Sequence, residues 1–195
     1  MIEKDKYYPP KTCEMPKLPD NFGKTLLSHI LNVTLSSGGP SDYVAAAYSI
    51  NFIRSSDLAI QEYNLARKAL VEFIETPNNV MSPLFLTIGH LEFCINAMRR
   101  AIRFSRHKHG PKLPRIDVIS SNVSYRIRNI RDAIEHTDER IRDEKIVQGK
   151  FLMLAVKSDG IELEGKEILY SELAEWLKQL HELSSIVAAY REENN

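Results

Sequence analysis

The chain has 195 residues, 43% of them hydrophobic and 27% charged, enough apolar material for a packed core and too much for a disordered polymer. Lysine plus arginine and aspartate plus glutamate both number 26, so the formal net charge is zero and no global field draws the chain to nucleic acid or to a membrane. Binding to either requires a local patch.

Residues 1–20 are charged and carry Pro9, Pro10, Pro16 and Pro19, a pattern that favours an extended N-terminal arm over a helix. No apolar stretch follows Met1-Ile2-Glu3-Lys4-Asp5-Lys6, so a secretion signal is not expected. From residue 21 to 195 we expect a single helical-bundle domain. Phe22, Leu26, Ile30 and Val33 follow a three-four spacing until Ser36-Ser37-Gly38-Gly39-Pro40 stops it. Ser41 is a candidate cap for a helix of some 35 residues, whose face runs through Val44, Tyr48, Phe52, Ser55, Ala59, Glu62 or Tyr63, Ala66, Leu70 and Phe73. Pro77-Asn78-Asn79 breaks it, and Ser82-Pro83 starts the next, with Leu84, Ile88, Leu91, Ile95, Met98 and Ile102 as its stripe.

Gly110-Pro111 opens a loop, and Ser120 or Ser121 begins a helix reaching about residue 143, on the stripe Val123, Ile127, Ile130, Ile134, Thr137 and Ile141. Then the period changes. An apolar run from Lys150 to Lys157, the turn pair Asp159-Gly160 and the alternating Ile161-Glu162-Leu163-Glu164 predict one small β-hairpin near residues 150–164. Leu169, Leu173, Trp176, Leu180, Leu183, Val187 and Tyr190 give a last helix, with Ser171 as candidate cap. The fold expected is mainly all-α, an antiparallel four- or five-helix bundle with that hairpin. Cys13 and Cys94 read as free thiols in a reducing cytoplasm, and no stretch reaches the roughly 18 apolar residues of a membrane span.

Two segments carry candidate chemistry. The first is Arg131-Asp132-Ala133-Ile134-Glu135-His136. On a helix, Asp132 and His136 share a face turned away from the apolar stripe, where Asp132 could accept a hydrogen bond from His136 and fix its tautomer. An imidazole beside an arginine suits RNA cleavage, the histidine moving a proton at the ribose 2′-hydroxyl or the leaving oxygen and the arginine holding the phosphate, with no metal required. The competing reading is a solvated face of ion pairs four residues apart, Arg128–Asp132 and Arg131–Glu135. The second segment is the basic run from Arg99 to Arg115. It offers Arg99, Arg100, Arg103, Arg106 and Lys108, to which Arg128 adds from the later helix, as RNA-binding residues. His107 and His109 have no third ligand at a suitable spacing, so no metal site and no cofactor are predicted. His90, with Glu92 nearby, reads as a satisfied histidine at the bundle edge, His181 as a surface residue and Tyr125 as packing.

The Arg131–His136 segment resembles the signature of the HEPN superfamily, an arginine, often with a polar follower, separated from a histidine by four to six intervening residues. Arg100–His107 and Arg103–His109 fit the bare spacing too, but only Arg131 has the polar follower inside a late helix. The resemblance implies an all-helical bundle with the motif late in the chain, and metal-independent endoribonuclease activity in a homodimer. It also implies RNA as substrate and a toxin–antitoxin or defence setting with a cognate antitoxin protein. Carried over by position, Arg131 is the phosphate-binding arginine, Asp132 the polar follower and His136 the catalytic histidine. The alternative is a helical module that binds protein or RNA without chemistry.

Overall fold

The computed structural model describes residues 9–27, 43–76, 80–111, 120–143 and 153–189. Five helices and three strands are formed within them: α1 (Tyr43–Glu75), α2 (Ser82–Ser105), α3 (Ser121–Glu135), α4 (Thr137–Arg142), β1 (Ala155–Val156), β2 (Gly160–Leu163), β3 (Lys166–Leu169) and α5 (Tyr170–Ala189). The protein is thus mainly α-helical with a small antiparallel sheet. Among the described residues no helix is long and apolar enough to cross a membrane.

The long hairpin of α1 and α2 is the frame. Its antiparallel register is marked by three pairs. Thr87 Oγ1 lies 3.5 Å from the Ala66 carbonyl, His90 Nδ1 meets Glu62 at 2.7 Å, and Tyr48 meets His107 near the far end. The stripes expected from spacing form its interior: Phe52, Ala59, Tyr63, Ala66 and Leu70 face Leu84, Leu91, Ile95, Met98 and Ile102, all buried. α3 packs on α2, and α5 packs on α1 and over the sheet. The caps and breaks named from the sequence fare unequally. Ser120 caps α3, its hydroxyl accepting from the Val123 N–H at 3.3 Å. α2 begins at Ser82 itself, with Pro83 in the first turn. Ile30, Val33, Ser36 to Ser41, Pro77 to Asn79, Arg115, Lys150 to Leu152 and Tyr190, each given a place above, lie outside the described residues.

The arm packs against the bundle. Met15 and Leu18 are buried in the common core, Tyr63 donates to the Pro16 carbonyl at 3.0 Å, and Arg67 Nε donates to the Met15 carbonyl at 3.0 Å. The Glu14 N–H donates to the Ser158 carbonyl at 2.9 Å, tying the arm to the sheet. Downstream, Asp57 of α1 is 4% exposed and accepts the Leu26 N–H at 2.8 Å, where residues 25–27 take up helical conformation. His181, read as surface, is instead half-buried there, stacked on Phe22 at 3.9 Å.

The expected hairpin is present as β1 and β2, with Val156 paired to Ile161, and a third strand extends it. β2 returns as β3 through Glu164-Gly165, whose φ values of 55° and 77° are those of a tight two-residue hairpin turn. Leu169, assigned to the last helical stripe, therefore lies in β3 and is 37% exposed. The helix expected to run to residue 143 stops at Glu135. His136 has φ −98° and ψ 15°, well away from α-helical values, and α4 restarts at Thr137. The break ends the apolar stripe, and Ile141 is 49% exposed. Tyr125, read as packing, is 64% exposed.

Candidate phosphate-binding basin

Helical phase decides which cations of the basic run can meet the Arg131–His136 segment. Arg99 and Arg103 are four apart on one face of α2, and Arg128 and Arg131 are three apart on α3. α3 is docked through Val123, Ile127, Ile130 and Ala133, all buried, which turns the arginine face toward that of α2. The result is an open basin of about 470 Å³ lined by Arg99, Arg103, Arg128, Arg131, Asp132 and His136.

Not all the proposed RNA-binding residues join it. Arg106 turns to the start of α3, donating to the Ser120 carbonyl at 2.7 Å and to Ser124 Oγ at 2.9 Å. Arg100 lines a neighbouring cavity. Lys108 is exposed and lines neither. Arg99 also reaches Ser124 Oγ, at 3.4 Å. Burial, and then the like charges of Arg103, Arg128 and Arg106, push the Arg99 guanidinium below its ordinary range, with Asp132 opposing them. The basin is a place where positive charge is crowded beyond what its own carboxylates offset.

The carboxylates are engaged. Asp132 accepts from Arg128 Nε at 3.2 Å and from Arg131 Nη1 at 3.0 Å, while Arg131 also pairs with Glu135. Burial pushes the Asp132 carboxyl up, but the hydrogen bonds and charges of Arg131 and Arg128 outweigh it and hold the group below its usual range. Both ion pairs of the solvated-face reading are therefore formed.

The expected Asp132–His136 hydrogen bond is not made. His136 Nδ1 instead meets Glu139 Oε2 at 2.9 Å, across the helix break, with both side chains about half exposed. The reason is geometric. Asp132 is claimed by two guanidinium groups, and the departure of His136 from helical ψ aims its ring at the first turn of α4. A carboxylate only accepts, so Nδ1 carries the proton, and in the neutral ring the lone pair lies on Nε2. Glu139 thus takes the orienting role assigned to Asp132, and its three-residue spacing from His136 was the available signal.

His90 is satisfied, but by Glu62 rather than Glu92. Among the described residues, no three His, Cys, Asp or Glu side chains gather as a metal site would need. A residue that spacing left unremarked, Arg126, fixes another side of α3. It is bidentate to Glu172 at 2.6 and 2.8 Å, donates to the Glu167 carbonyl at 3.1 Å and lies 5.2 Å from the centre of the Trp176 ring.

No protein-family model, no curated protein and no solved structure matches the chain.

Proposed function

We propose that the chain is a HEPN-like metal-independent endoribonuclease that works as a homodimer, with Arg131 and His136 as its reacting pair. The observation that carries the reading is the convergence of four arginines from two helices on one basin, with an oriented imidazole on its wall. Such a basin suits a phosphodiester, whose equatorial oxygens accept from several guanidinium groups and whose charge grows in the transition state. His136 Nε2 takes the proton of the ribose 2′-hydroxyl. The O2′–P bond forms as the P–O5′ bond breaks, leaving a 2′,3′-cyclic phosphate and a 5′-hydroxyl. The leaving O5′ needs a proton, and a second copy of the chain brings a second imidazole that can donate it. A cytoplasmic toxin–antitoxin role with a cognate antitoxin goes with this reading and with the resemblance that prompted it.

The test is incubation of purified protein with a mixed-sequence RNA in excess chelator. Fragments ending in 2′,3′-cyclic phosphate are expected. His136→Ala should slow their appearance about 10²- to 10⁴-fold, the usual range for loss of a general acid or base. RNA left intact by the wild-type dimer refutes catalysis. One observation favours a second reading, RNA binding without cleavage: Arg131 is already paired with both Asp132 and Glu135. Salt-dependent affinity with no products, unaffected by His136→Ala, is its signature.

A further inference from the structure

We infer that the aromatic corner of Tyr48, Phe104, His107 and His109 is a seat for a nucleobase of single-stranded RNA, adjoining the basin; the inference rests on reading that basin as an RNA-phosphate site. A second cavity of about 250 Å³ is lined by Tyr48, Arg100, Arg103, Phe104 and His107. Arg103 lines both cavities, so one residue joins their walls.

The corner is assembled from distant residues. Tyr48 lies in the second turn of α1, Phe104 in the last turn of α2, and His107 and His109 in the turn just past its end, brought alongside by the antiparallel hairpin. Tyr48 and His107 stack with centroids 4.2 Å apart and planes 7° from parallel. His109 lies beside that pair, 5.6 Å from His107 and 6.3 Å from Tyr48, and Phe104 meets Tyr48 edge-on at 5.9 Å. A tight turn holds the histidines. The Gly110 N–H donates to the His107 carbonyl at 2.8 Å, and a Cβ at Gly110 would collide with the Phe104 carbonyl.

Both His107 nitrogens have roles within the corner. Nδ1 accepts from the His109 N–H at 3.3 Å, which puts the ring proton on Nε2, 3.2 Å from the Tyr48 hydroxyl oxygen. With both nitrogens engaged, His107 has no lone pair to offer a metal, and its exposed ring suits a planar ligand better.

Rings that serve packing alone are covered, whereas His107 is exposed and Tyr48 and His109 are half-exposed beside an open cavity. Aromatic faces next to arginines are how proteins hold single-stranded bases, because each base has a π-face and a phosphate a short step away. Bases inside a duplex are stacked on one another and cannot be offered to the corner.

The test is binding of three fluorescent oligonucleotides by anisotropy. They are a 2′-O-methyl single strand, which lacks the 2′-hydroxyl nucleophile, an abasic strand with the same number of phosphates, and a duplex. The wild type should bind the single strand at least about tenfold more tightly than the abasic strand or the duplex, in line with base–aromatic stacking. Tyr48→Leu, which keeps an apolar plug, should erase that advantage, and Tyr48→Phe, which keeps the ring, should retain it. Thermal melts of both variants verify the fold. Equal affinity for based and abasic strands, or an unchanged preference in Tyr48→Leu, overturns the seat while leaving the basin standing. Failure to bind any of the three strands overturns both.

Discussion

Arg126→Ala is the substitution whose cost can be worked most fully, because the side chain joins α3 to β3 and α5 at three points. It removes a two-pronged ion pair with Glu172, a hydrogen bond to the Glu167 carbonyl and a contact over the Trp176 ring. The side chains of Arg126 and Glu172 are 32% and 34% exposed, so solvent screening reduces the pair to about 1–2 kcal/mol. The carbonyl bond adds about 1 kcal/mol and the ring contact about 0.5–1 kcal/mol. Together they give a loss of about 3 kcal/mol, or about 6–12 °C in melting temperature for a chain of this size. Arg126→Lys should lose most of it, since an ammonium cannot fork or stack in the same way. A double-mutant cycle with Glu172→Gln should return a coupling of about 1–2 kcal/mol. The Arg126 hydrogen bond holds the Glu172 carboxyl below its usual range, against the upward push of burial and with help from the Leu169 N–H. A depressed carboxyl contributes stability above its unfolded value of about 4.3 and loses it as pH falls through the lower folded value, so the coupling should fade in that window. A melting shift under about 2 °C for Arg126→Ala, or a coupling that ignores acid, would refute the reasoning.

Burial pushes the Asp57 carboxyl up, only partly offset by hydrogen bonds from Leu26 and Thr25 and by His181. The folded state therefore holds that proton longer, and wild-type stability should fall as pH rises from about 3.9 through the folded value. Asp57→Asn should remove that slope from urea midpoints measured between pH 4 and 7, and an unchanged slope sinks the assignment. Cys94 is fully buried and its thiol is pushed up by burial, whereas Cys13 is half-buried in the arm. A thiol-reactive chromogenic disulfide should titrate Cys13 in the native protein and Cys94 only in denaturant, and two fast thiols would contradict the packing. Ile130 is 1% exposed under α3, so Ile130→Ala should cost about 2–5 kcal/mol and Ile130→Val about 0.5–1.5 kcal/mol by denaturant melts. Equal effects would mean that α3 is not docked on that face.

Helical stripes were legible because a helix carries its pattern locally. Leu84 to Ile102 and Leu173 to Val187 repeat for several turns, and each repeat buries. β3 was not legible, since Lys166-Glu167-Ile168-Leu169 is four residues long and Leu169 fits a helical stripe as well as a strand. What makes it a strand is pairing with β2, a tertiary fact. The break at His136 had no proline or glycine to announce it, and with it went the assignment of Asp132 as partner to the imidazole. The candidate site was half legible. The motif and the basic run named its residues, but choosing Arg99 and Arg103 over Arg100, Arg106 and Lys108 needed the phase of α2 against α3. Tyr48 looked like one more member of an apolar stripe, and nothing local sets it against His107.

The crowding of charge in the basin has an energetic consequence that can be measured without knowing the natural ligand. Arg99, Arg103, Arg128 and Arg131 share one opening with a single lining carboxylate, in a chain whose formal charge is zero. Like charges held this close disfavour the folded state, and crowded, perturbed charges mark the places where a ligand completes the balance. A polyvalent anion that binds only the folded form should therefore stabilise it. With a dissociation constant of about 1 mM, sulfate at about 10 mM adds about 1.4 kcal/mol, which is about 3–6 °C in melting temperature. Chloride at equal ionic strength separates binding from screening, because screening depends on ionic strength and not on the anion's geometry. Arg103→Ala should abolish the sulfate-specific part while raising the anion-free melting temperature, since it relieves the repulsion it would otherwise add to. Equal stabilisation by sulfate and chloride, or an Arg103→Ala variant less stable than wild type without anion, would mean that the arginines are balanced by their own ion pairs and that the basin holds no phosphate.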